Sequence, residues 1–190
     1  MKIDMRALAN DTILAGAVAG KAVFVRLIAA TGSEPEEPTA LIMDFGGVEV
    51  ATASFLRETV FASKTYMRAR QSSLYPVVAN LNDEIRDELA VLTEALSDAI
   101  ISCEISSSGL LSNVQLIGKL DPKQQLTFDY IIENRVADAN TLKERLGDTE
   151  KAKSTNAWNN RLAGLVARGV IKEFSRGRAK FYKPILDEAL

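Results

Sequence analysis

Three apolar runs, TALIMDF (39–45), LYPVVANL (74–81) and DAIISCEI (98–105), are separated by stretches with helical spacing. This alternation constrains the fold more than any other feature of the 190 residues. Strand–helix–strand–helix–strand requires crossover connections, and right-handed crossovers build a mostly parallel sheet. TALIMDF is apolar at successive positions, as in a strand buried on both faces. A helix is predicted from about Thr52 to Arg70. NDEIRDELAVLTEAL (82–96) predicts another, with Ile85, Leu89, Leu92 and Leu96 on one stripe, Asn82 as N-cap and acids in the first turn. SSSG (106–109) predicts a turn, and LLSNVQLIG (110–118) a fourth strand returning as a hairpin. The acidic loop SEPEEP (33–38) sets an N-terminal apolar stretch apart from these elements.

From Asp121 the pattern changes. Asp121-Pro122-Lys123-Gln124 is a helix start, with Asp as N-cap and Pro in the first turn. That helix is predicted to run to about Arg135, a second spans 138–147 with Leu142 and Leu146 four apart, and a third covers roughly 151–168 and ends at Gly169. VIKEFSRGRAKFYKP (170–184) follows as two β-type runs about the turn SRGRA. Phe174, Phe181 and Ile171 are expected to face the body of the protein, and Lys172, Lys180 and Lys183 to face outward. The expected organisation is an α/β domain over 1–118 and a smaller domain over 119–190.

Charge divides along the same line. Residues 1–120 carry a net −5 and residues 121–190 a net +3; within 151–183 nine basic residues face one acid, Glu173. A basic block on a chain of net charge −2 points to a local anionic partner, and a solvated face is the alternative. The chain has no histidine and one cysteine, Cys103, which excludes an internal disulfide, His-based triads and the usual zinc sites. No catalytic residue, metal or cofactor is expected. Gly46-Gly47 lacks the further spacing and the Lys of a phosphate-binding loop, and Asp44 at a strand end reads as a turn cap. No run is long and uncharged enough for a membrane span, and a cytoplasmic location is expected.

TLKERLG (141–147), NNRLAGLVARGVI (159–171) and KEFSRGRAKFY (172–182) resemble a winged helix-turn-helix domain, with Arg161, Leu162, Leu165, Gly169, Val170 and Ile171 matching the end of the recognition helix and the start of the wing. From Gly147 to Leu162 the spacing is about five residues longer than usual for that family, so either the turn is an extended loop or the third helix starts earlier. At ~100° per residue Thr155, Trp158, Leu162, Leu165 and Val166 share one side of the third helix, and Lys153, Asn156, Asn160 and, at the edge, Arg161 the other. Asn pairs with adenine and Arg with guanine in a major groove, and Lys and Arg contact phosphates. Trp158 reads as a core or rim residue. At the hairpin tip Arg176, Arg178 and nearby Lys180 suit a phosphate backbone or a minor groove.

LIMDFGGVEVATASFLRE (41–58) resembles the STAS-like domains, relatives of bacterial anti-sigma-factor antagonists, on Asp44, Phe45, Gly47 and Val48. That resemblance implies a domain contacted by a signalling protein and, in members that are phosphorylated, a Ser at the helix start. Here Ala53 stands at that position; Thr52 and Ser54 flank it as candidate phosphorylation sites or as helix caps. Together the two resemblances imply a regulator that binds double-stranded DNA, receives a signal by protein contact and dimerises. The alternative is an interaction adaptor in a partner-switching relay that does not bind DNA.

Overall fold

The computed structural model describes residues 1–152, 154–177 and 179–186. A five-stranded sheet has the order β1 (Lys2–Asp4), β3 (Thr39–Asp44), β5 (Leu74–Ala79), β6 (Ala99–Ile105) and β7 (Leu111–Gly118). The first four are parallel neighbours, and β7 returns antiparallel to β6. Pro76 sits in a central strand without cost because β6 begins to pair with β5 only at Val77. The predicted strands and hairpin are therefore present.

The N-terminal apolar stretch holds elements that the sequence did not announce: edge strand β1, helix α1 (Met5–Ala9), strand β2 (Ile13–Leu14) and helix α2 (Ala17–Ala30). β2 pairs with β4 (Val50–Ala51) in a small separate ribbon. The helix predicted over 52–70 is continuous over 53–69 as α3 (Ala53–Leu56), a π-helical turn (Arg57–Phe61) and α4 (Ala62–Ala69). α2 crosses it so closely that a Cβ at Gly20 would lie 2.8 Å from the Phe55 carbonyl oxygen. α5 (Asp83–Leu96) starts on Asn82, whose side chain accepts from the Ile85 N–H, and buries Ile85, Leu89 and Leu92, while Leu96 is exposed in its last turn.

Strands laid down in sequence order by right-handed crossovers place their helices on one face of a sheet. Met43, Val78, Ile100 and Ile117 on that face share a core with Val23, Phe55, Ile85 and Leu89 from the helices. The opposite face carries Ile42, Tyr75, Val77, Ile101 and Cys103, and it would be bare but for the C-terminal unit.

That unit comprises α6 (Pro122–Asn134), α7 (Ala139–Leu146), α8 (Thr155–Ala167) and the antiparallel hairpin β8 (Ile171–Arg176) and β9 (Ala179–Pro184). Asp121 caps α6 by accepting from the Lys123 and Gln124 N–H groups, Asp138 caps α7, and Ser154 caps α8. The long spacing before α8 is taken up by turns over 147–151, and the Trp158 indole N–H donates to the Ala152 carbonyl at 2.8 Å. Ala137 and Tyr182 exchange backbone hydrogen bonds, tying the α6–α7 connection to β9. Trp158, Leu162, Leu165, Ile171 and Tyr182 join the sheet residues in one hydrophobic cluster. The segment 119–121 lies between β7 and α6, but the core runs across it.

Candidate nucleic-acid interface

Burying Trp158, Leu162 and Leu165 forces the opposite side of α8 outward. Asn156, Asn160, Ala163 and Ala167 form an exposed stripe, with Asn159 beside it. Asn156 and Asn160 thus lie where the helical spacing puts them. Arg161 does not join them. Its guanidinium lies 4.4 Å from the Trp158 ring and pairs with Glu150 at 3.0 Å, leaving the side chain 11% exposed. It ties the turn at Glu150 to α8.

In the hairpin, Lys172 pairs across with Lys183, Phe174 with Phe181, and Arg176 with Ala179. These residues share one face. Ile171, Glu173, Ser175, Lys180 and Tyr182 occupy the other, which Ile171 and Tyr182 bury. This corrects the expected facing in two ways: Ile171 faces the body as expected, but Phe174, three positions away, and Phe181 lie on the opposite face, and Lys180 belongs to the body-facing side. Lys180 pairs with Glu173 at 2.8 Å. The Glu173 backbone N–H donates to the Tyr75 hydroxyl at 3.3 Å. Burial, with Glu173 nearby, pushes the Tyr182 phenol up to about 12.

The other face combines aromatic surface with positive charge. Phe174 and Phe181 stack with centroids 5.7 Å apart. Exposed Arg176 lies 5.7 Å from the Phe174 ring centroid and Lys183 lies 5.0 Å from it. A cation held over a ring face is oriented by the ring quadrupole. Phe174 and Phe181 are half-buried, and strand parity counted from Ile171 is the signal that would have set them opposite it. Lys153 and Arg178 lie outside the described residues.

α8 joins the hairpin at Gly169, where φ is +62°. That turn rests on the stems of Lys64 and Arg68. Lys64 is buried and pairs with Asp98 at 2.6 Å; burial lowers its pKa, against the pull of Asp98. The Arg168 guanidinium donates to the Ser97 carbonyl at 3.0 Å. A groove of about 450 Å³ separates Ala163, Ala167, Glu173 and Lys180 from Arg68 and Ser72 on the sheet side.

At the start of α3, Thr52 Oγ1 accepts from the Gly16 N–H at 3.1 Å and the Phe55 N–H at 3.4 Å, and lies 3.2 Å from Ser54 Oγ. The Glu88 carboxylate accepts from the Ala53 N–H at 2.8 Å. An acid therefore already answers the helix's positive end. Asp44 Oδ1 accepts from the Gly46 N–H and the Asn80 amide, which is the role of a turn cap. Among the described residues no cluster of His, Cys, Asp and Glu could hold a metal, and no helix is long and apolar enough to cross a membrane.

No protein-family model, curated protein or solved structure matches the chain.

Proposed function

We propose that the protein is a regulator, most simply of transcription, that binds double-stranded DNA through a winged helix-turn-helix unit formed by α6, α7, α8 and the β8–β9 wing. The observation that carries this reading is the wing's Phe174–Phe181 face, where exposed Arg176 lies over one of two stacked aromatic rings. The helix order, the Ala137–Tyr182 bridge beside the ribbon and the exposed Asn156 and Asn160 support it. Arg176, with Arg178, supplies phosphate contacts; Asn156 and Asn160 offer amides to base edges. Arg161 positions the loop before α8, and Lys180 sits on the groove side of the wing.

In this reading the sheet unit is a STAS-like receiver of a signal delivered by protein contact in the cytoplasm. Phosphorylation at Thr52 or Ser54 has less behind it, because Thr52 Oγ1 is committed to two backbone amides and Glu88 stands at the helix start. The second reading, an interaction adaptor, draws on Ala163 and Ala167: the described part of the α8 stripe carries no cation. Titration of the whole protein with duplex DNA at varied salt separates the two. A DNA-binding protein loses affinity steeply as salt rises, and Arg176→Ala with Arg178→Ala weakens binding to every sequence. Absence of binding at low salt leaves the adaptor.

A further inference from the structure

Asn156, Asn159 and Asn160 stand exposed on the first two turns of α8, on the side away from Trp158, Leu162 and Leu165. None of their side-chain amides makes a hydrogen bond among the described residues; the contact of Asn156 with Ser154 Oγ, at 3.2 Å, is through its backbone N–H. Elsewhere asparagine amides are committed to the fold. Asn80 donates to Asp44, Asn82 to the Val48 and Glu49 carbonyls, Asn113 to Glu104 and Asn134 to the Tyr130 carbonyl. Asn159 and Asn160 sit past the first turn, where asparagine lowers helix stability relative to alanine. They carry that cost with no side-chain bond among the described residues to offset it.

We infer that this amide surface reads adenine, so that the duplex selected by α8 has A·T pairs where the helix enters its major groove. The inference deepens the DNA-binding reading and rests on it. A primary amide offers a donor and an acceptor side by side. Adenine presents the matching pair in the major groove, the N6–H donor and the N7 acceptor. Guanine presents two acceptors, O6 and N7, and is read by Arg or Lys. Arg161 is the one cation within α8, and it is turned to Glu150 and the Trp158 ring. Asn156 and Asn160 are about 6 Å apart along the helix axis, which is about two base-pair steps. The reading surface ends there, because Ala163 and Ala167 on the same stripe line the groove toward Arg68 and Ser72. This helix therefore sets a short A·T step within the site.

Fluorescence anisotropy of the full chain with two labelled duplexes of equal length, one of alternating A·T and one of alternating G·C pairs, tests it. The A·T duplex is bound at least about tenfold more tightly. Asn156→Ala with Asn160→Ala brings the two affinities together, leaves the salt slope unchanged and does not lower the melting temperature. Replacing adenine by its 7-deaza analogue removes N7 from the major groove and leaves the minor groove as it was; this too abolishes the preference. Arg176→Ala with Arg178→Ala weakens binding to both duplexes and keeps their ratio. Equal affinity for the two duplexes, or a preference for G·C, overturns the inference and leaves the DNA-binding reading standing. So does an A·T preference that survives loss of both amides or of N7, or one that disappears with the wing arginines and so belongs to the minor groove. Absence of binding to either duplex at low salt overturns both.

Discussion

At the start of α3 the polar groups are answered from inside the fold: Thr52 takes two backbone amides and Glu88 takes the Ala53 N–H. On the outer face of the β8–β9 hairpin Arg176 is placed over Phe174 and exposed. Both regions drew attention in the sequence for similar reasons, a polar signature beside a strand. The structure separates them by where the hydrogen-bonding capacity goes. A hydroxyl that closes a turn and caps a helix is architecture. A cation resting on a ring is oriented and still available to an anion.

The strongest way to break this contrast is to show that the two regions belong to independent bodies. Trp158→Ala removes the largest buried side chain of the C-terminal unit and is expected to cost about 3–5 kcal/mol. One hydrophobic cluster spans hairpin and sheet, so denaturant should then unfold both in one transition, followed by near- and far-ultraviolet circular dichroism. A hairpin that melts while the sheet persists would divide them. Next in size is Asp98→Asn. It leaves the buried Lys64 charge without its anion beneath the α8–hairpin turn, and a loss of about 3 kcal/mol is expected in urea unfolding. Thr52→Ala should cost about 1 kcal/mol, the ordinary value of a cap, and leave any DNA affinity unchanged. A change in affinity without a change in stability would give Thr52 a functional role.

The smallest effect is with pH. Burial pushes the Cys103 thiol up to about 11, and Tyr182 reaches about 12. Both are raised above their unfolded values, so their contribution is complete below about pH 9 and is lost as pH rises through 11 and 12. Urea midpoints should be insensitive to these groups at neutral pH and should fall above pH 9. Cys103→Ala should remove the lower part of that fall.

Much of the sheet could be read in advance. β3, β5 and β6 are apolar on both faces, and α5 has a clear stripe and cap, so local pattern and tertiary burial agree. The N-terminal elements were hidden because α2 has apolar residues on both sides and therefore no amphipathic signal, and β1 has three residues. The C-terminal helices were announced by Asp121-Pro122 and by Leu142 and Leu146 four apart. What could not be read was that this unit covers the second face of the sheet, since the residues that meet there are far apart in sequence. At the candidate interface, Asn156 and Asn160 followed from helical spacing. Arg161 was lost to Glu150, a partner brought to it by the turns over 147–151.

The central claim is that the hairpin face meets nucleic acid, and the salt dependence of duplex binding by the whole protein tests it most directly. The account predicts a linear fall of log affinity with log salt. In the Arg176→Ala with Arg178→Ala variant the slope should be shallower by about 1 for each phosphate contact removed, with folding unchanged. No binding at about 50 mM salt, or a slope indifferent to both arginines, would contradict it.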